Sequence, residues 1–235
     1  MINDMKKTIA VASLAVGFAV LSGCTQTPEP VPVPVVQTPQ RPYPPMGAAP
    51  NLTIPPRGVD GSRLTINSGL SAKQAAWNLR SAYNVAALNC QDMEHAAIVA
   101  NYGDFLKSHS RVLSSINSDL DKEYKRLYGS RYIRERESFQ TQVYNYFALP
   151  PVVPAFCDTA LAVGQELRAV PAEELETYAF TALSKFESVY QDFFNAYDQY
   201  RRDLAAWEAT YSGASWNTAT ADASSVSGVE QSSSQ

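Results

Sequence analysis

The apolar positions of this chain recur mainly at helical spacing. Leu183, Phe186, Tyr190, Phe193, Tyr197, Tyr200, Leu204, Trp207 and Tyr211 alternate by three and four residues without a lapse. That period predicts one amphipathic helix from Ala172 to Tyr211, about 60 Å long at 1.5 Å per residue. Pro171 opens it, and Glu173 and Glu174 place negative charge in its first turn, where the helix dipole favours it. A second seam runs through His95, Ile98, Tyr102, Phe105, His109, Val112 and Ile116. It continues more loosely through Leu120, Tyr124 and Leu127 to Gly129. It predicts a helix N-capped by Asp92, about 55 Å long if unbroken, with Ser114–Asp119 its weakest stretch.

Three shorter helices are predicted. Ser71 and Gln74 have the spacing of a capping box, and Ala75, Leu79, Tyr83 and Ala86 follow on one face to about Asn89. Ile133, Gln140, Val143 and Phe147 share a side between Arg131 and Phe147, which Pro150 and Pro151 end. Pro154 opens a helix to about Ala169. Arg63–Asn67 alternates like a short strand. Two long seams should pack on each other with the short helices flanking them. The expected fold is all-α, an elongated antiparallel bundle of about five helices over residues 59–211. From Ser212 the chain is rich in Ser, Ala and Thr and is expected to be disordered through residue 235.

The N-terminus is of another kind. Lys6 and Lys7 precede an uncharged, mostly apolar run from Thr8 to Val20, and Leu21-Ser22-Gly23-Cys24 closes it. This is a signal peptide with a lipobox, in which Cys24 takes the lipid after removal of residues 1–23. The apolar run is too short to span a bilayer, which needs about 20 residues. Residues 25–58 hold eleven prolines and should form a polyproline spacer that lifts the domain from the membrane. Thr25 follows the lipid site where an Asp would signal inner-membrane retention. The expected location is therefore the outer membrane, on its periplasmic side.

The 235 residues carry a net charge of −4. Loss of Lys6, Lys7 and Asp4 with the signal makes the remainder slightly more acidic. That balance argues against a nucleic-acid partner and gives no polybasic membrane patch. With Cys24 lipidated, Cys90 and Cys157 remain. In an exported protein an even remainder implies a disulfide, the alternative being two separate buried thiols. Closing that loop would contribute about 4 kcal/mol.

Asn78–Cys90 (NLRSAYNVAALNC), Tyr146–Pro151 (YFALPP), Phe156-Cys157 and Ala196–Arg201 (AYDQYR) resemble the signature of an uncharacterised exported family of alphaproteobacteria. The resemblance covers about residues 70–208. It implies export and a Cys90–Cys157 bridge and brings no catalytic role. The lipobox departs from the plain signal peptide expected of such a family.

No nucleophile motif, phosphate loop or metal-ligand spacing is present. The two histidines, His95 and His109, lie 14 residues apart on one seam, too far to share an ion. The expected role is structural or protein-interacting, at the membrane through the lipid and without a cofactor. One alternative is a carrier of haem or a hydrophobic ligand, contacted by His95, His109 or Tyr102. Another is a hydrolase of an envelope polymer using two converging carboxylates. Asn78, Arg80, Asn84, Asn101 and Asp104 could edge a polar groove.

Overall fold

A computed structural model describes residues 39–212. The signal peptide, Cys24, residues 25–38 of the spacer and the tail from residue 213 lie outside the described residues. The fold is an all-α bundle of six helices: α1 Ala72–Asn89, α2 Ala97–Ser108, α3 Ser110–Tyr128, α4 Tyr132–Phe147, α5 Val153–Leu167 and α6 Leu175–Tyr211. The Arg63–Asn67 strand does not form. Arg57 and Arg63 make one isolated bridge there.

Helix α1 starts where the capping box predicts. Ser71 Oγ accepts from the Gln74 N–H, and the Gln74 side chain accepts from the Ser71 N–H. Burial extends far beyond the predicted face. Ala75, Ala76, Asn78, Leu79, Ser81, Ala82, Tyr83, Val85 and Ala86 are all buried. The other five helices pack around α1. Its small side chains let several neighbours approach at once, since interaxial distance follows side-chain size at the contact.

This arrangement corrects the expected pairing of the two long seams. Helix α6 packs on α1 and α5 rather than on α2 or α3, and α1 stands between. The predicted α6 seam is nonetheless right, and Leu183, Phe186, Tyr190, Phe193, Tyr197 and Tyr200 are buried. Phe186 and Tyr190 meet Phe147 and Phe156 in an aromatic cluster with ring centroids 5.2–6.3 Å apart. Tyr190 Oη donates to the Phe147 carbonyl at 2.8 Å and so satisfies the end of α4.

The second predicted helix is two helices that meet at His109. Its φ and ψ are −105° and 14°. The expected weak stretch, Ser114–Asp119, is continuous helix. Helical hydrogen bonds persist through His109, from its N–H to Phe105 and from Leu113 to its carbonyl. The side chains compete there: Ser108 Oγ bonds the Asp104 carbonyl and His109 Nδ1 lies 3.2 Å from the Phe105 carbonyl. The break lets one run of sequence change partners. Helix α2 packs on α5, and α3 packs on α4. Asp92 makes no capping bond. It precedes a single 3₁₀ turn, Met93–His95, and α2 follows.

Cys90 caps α1 and is bonded to Cys157 in α5, with Cα atoms 5.5 Å apart. The bridge fixes the C-terminal end of the central helix to the neighbour that α2 also contacts.

The domain begins earlier than the composition suggests. Residues 39–58, expected to belong to a free spacer, are strapped to α6. Trp207 Nε1 donates to the Pro39 carbonyl at 2.7 Å, and Arg41 pairs with Glu208 at 2.7 Å. Tyr197 Oη donates to the Ala49 carbonyl and accepts from the Leu52 N–H. Arg201 donates to the Leu52 carbonyl at 2.8 Å. A proline-rich chain offers carbonyls with few N–H groups, and α6 supplies the donors. Arg63 locks the end of the strap. Its side chain is 2 % exposed and bonds the Pro55 and Phe194 carbonyls and the Asp198 carboxylate.

One close approach sets a sharp limit. A Cβ at Gly164 would lie 1.8 Å from the Tyr83 hydroxyl and 2.6 Å from the ring carbon that bears it. Helix α5 therefore meets α1 through a glycine against a buried tyrosine. Gly164→Ala should cost about 2–4 kcal/mol, because a rigid ring must be displaced in a packed core. Denaturant unfolding measures this, and Tyr83→Phe in the same chain should recover part of the loss.

Burial holds several tyrosines neutral. Tyr83 is pushed up to about 12, and Tyr102, Tyr124, Tyr146, Tyr178 and Tyr190 are raised for the same leading reason. A raised tyrosine favours the protonated fold. Its stabilisation is complete below about pH 10 and is lost as pH climbs above that value. Tyrosinate absorbance should rise in two stages, first for exposed rings and then cooperatively as the helical circular dichroism is lost. A single smooth titration with the helices intact would contradict the burial.

Candidate functional site

A groove of about 400 Å³ opens between α1, α3 and α4. Trp77 and Arg80 come from α1, and Asn117 and Asp121 from α3. Helix α4 supplies Tyr132, Ile133, Arg136, Glu137, Gln140 and Tyr144. The α4 positions recur every three or four residues, so one helical face lines one wall. Ile133, expected on the packed side of α4, is 54 % exposed at this wall. Helix α4 turns its middle toward α1 while its N-terminal turn overhangs solvent.

Trp77 is fixed at its edge. Its Nε1 donates to Gln140 Oε1 at 2.8 Å, Gln140 Nε2 donates to Ser81 Oγ at 2.8 Å, and Ser81 Oγ donates to the Trp77 carbonyl. Two guanidinium groups lie against the ring, Arg80 at 5.3 Å and Arg136 at 5.6 Å from its centroid. Each such contact contributes about 0.5–1 kcal/mol at a partly exposed site. Arg136 is neutralised by Asp121 and also donates to Asn117. Arg80 donates to Tyr144 Oη at 3.0 Å and has no carboxylate partner among the described residues. The groove thus presents Arg80 without an ion-pair partner between aromatic and aliphatic walls, with the Glu137 carboxylate unpaired on its exposed rim. It suits an anionic or carbonyl-bearing group flanked by apolar atoms.

The residues do not assemble general acid–base chemistry. Asp121 is spent on Arg136, and Glu137 stands in solvent. A catalytic pair needs one carboxyl shielded from water and another free to act.

The residues singled out from the sequence have other places. His109 is 2 % exposed. Its Nε2 lies 3.1 Å from the Val170 carbonyl and its Nδ1 2.8 Å from Ser108 Oγ. Both ring nitrogens thus have internal partners, with the Phe105 carbonyl a further 3.2 Å neighbour of Nδ1. His95 is also buried and bonds Asp158 through Nε2 at 2.9 Å. Tyr102 packs edge-on against Tyr83 at 5.5 Å. His95, His109 and Tyr102 line none of the four recesses described. Asp92, Glu94 and His95 bring donor atoms within 4.8 Å of one another, with both carboxylates exposed. Asn78 is buried and donates to Asn67. Of the residues expected to edge one polar groove, Arg80 joins the Trp77 groove. Asn101 and Asp104 line a separate recess of about 150 Å³ with Gly164 and Arg168.

Trp77 itself was not foreseen. Its sequence signal was an aromatic one turn from Arg80, and Arg136, Gln140 and Tyr144 recurring every four residues. No protein-family model, curated protein or solved structure matches this chain.

Proposed function

We propose that this is a membrane-anchored envelope lipoprotein with a protein-interaction role, and that the Trp77 groove is its recognition surface. The observation that carries the reading is Arg80, an unpaired guanidinium held between Trp77 and Tyr144 in an open groove. The matching partner is a protein segment that offers a carboxylate to Arg80 and an apolar side chain to Tyr132 and Ile133. The lipobox at Cys24 supports the anchor, and Thr25 supports the outer membrane, periplasmic side. The resemblance to an exported family and the Cys90–Cys157 bridge support an oxidising compartment. The carrier reading gains no support from His109, whose two ring nitrogens face internal partners, and His95 lines none of the recesses described, its Nε2 bonded to Asp158 and its Nδ1 buried without a partner.

A photo-crosslinking residue at the exposed Glu137, on the groove rim, tests this in cells. Ser184 on α6 serves as the control position. One dominant envelope protein should be captured at position 137 and not at 184. Arg80→Glu should reduce that capture at least about tenfold, the effect expected of losing a charge-assisted contact and adding a repulsion. Equal capture at both positions, or none, would overturn the groove as an interface. Recovery of the mature protein in the inner-membrane fraction would overturn the sorting reading.

A further inference from the structure

The turn between α3 and α4 carries a surface that the net charge of the chain conceals. From Tyr124 to Arg134 the sequence holds Lys125, Arg126, Arg131 and Arg134 and no acidic residue, in a chain of net charge −4. All four are exposed. Only Arg134 has a carboxylate within 4 Å, that of Glu135 at 3.4 Å. Three large apolar side chains stand out in the same turn: Leu127 is 52 % exposed, Tyr128 41 % and Ile133 54 %. Leu127, expected within a packed seam, is left outside because α3 runs past its last core residue, Tyr124. Gly129, at φ +56°, reverses the chain there.

The tip also has a defined place. Lys73 Nζ, in the first turn of α1, donates to the Asp119 carboxylate of α3 at 2.6 Å, and the Glu176 carboxylate of α6 acts on the same ammonium. The N-terminal ends of α1 and α6 therefore lie beside the C-terminal half of α3. Trp207 holds Pro39 about 45 Å farther along α6. The cationic turn is thus at the end of α6 remote from the point where the chain enters the domain.

We propose that the α3–α4 tip docks on an anionic phospholipid surface. Phosphate headgroups match the unpaired cations. Tyr128 suits the interface, with an apolar ring and a polar end. Leu127 and Ile133 gain only from an apolar medium, which the acyl boundary provides and a soluble polyanion does not. The surface is a convex turn, shaped to enter a soft interface. The cations are grouped between Glu123 and Glu135, which stand at the two ends of the stretch. The inference does not depend on the Trp77 groove.

A polarity-sensitive fluorophore on Ser130→Cys reads the tip directly. The full chain carries Cys24→Ser as well, so that residue 130 is the one free thiol beside the Cys90–Cys157 bridge. Vesicles of phosphatidylglycerol mixed with phosphatidylcholine should give a blue shift, and pure phosphatidylcholine should not, even where the N-terminus attaches the chain. Lys125→Glu with Arg131→Glu should weaken the response at least about a hundredfold, and high salt should suppress it. The same fluorophore on Ser184→Cys should stay unchanged. No shift with the anionic vesicles overturns the proposal. So does a shift with heparin or polyglutamate but not with vesicles, which would assign the tip to a polyanion. An equal shift with both kinds of vesicle overturns the charge recognition.

Discussion

Everything in this fold is arranged around a helix that can be approached from every side. Ala75, Ala76, Ala82, Ala86 and Ser81 keep α1 thin, and Tyr83 and Leu79 fill the spaces between its neighbours. A helix with one apolar stripe supports a two-layer packing; one buried over most of its circumference organises its neighbours in a ring. The contact of Tyr83 with Gly164 shows how close that packing is. The disulfide from Cys90 then fastens α1 to α5 at the end where the helix would otherwise fray. The groove also depends on α1, because Trp77 and Arg80 occupy the part of its surface that α3 and α4 do not close.

Helix α6 is longer than the bundle it packs on, and its C-terminal part is covered by residues 39–58. Tyr197, Arg201 and Trp207 donate to carbonyls of the proline-rich stretch, and Arg41, Arg57 and the Leu52 N–H donate back to α6. The buried Arg63 adds an ion pair to Asp198 and two further carbonyls. An unsatisfied guanidinium in that position would be costly. The strap therefore has one defined seat on α6, from Pro39 onward.

The two surfaces proposed for recognition lie side by side, with Ile133 belonging to both. Net charge was a poor guide to either. The groove contains two arginines and two carboxylates, and its character comes from which of them are paired. The tip contains four cations within eleven residues, and its character comes from the exposure of Leu127, Tyr128 and Ile133 beside them.

The sequence by itself determined the helices and most of their faces. Apolar spacing of three and four residues, the Ser71 box and the prolines at 150, 151, 154 and 171 are local signals, and backbone geometry converts them into elements without help from the rest of the chain. The cysteine count pointed to a Cys90–Cys157 bridge, and the 5.5 Å Cα separation decided it against two separate thiols. Partner choice was decided only in three dimensions. Two aromatic seams looked made for each other, yet an alanine-rich helix took the place between them, because close approach of small side chains buries more surface than periodicity alone reveals. At His109, where α2 ends and α3 begins, the ring meets the Val170 carbonyl and the Ser108 hydroxyl, one far away in sequence and one adjacent. The strap and the groove share this origin: Trp207 to Pro39 and Trp77 to Gln140 are contacts across 168 and 63 residues. Side chains so far apart are brought together by the packing of the helices that carry them.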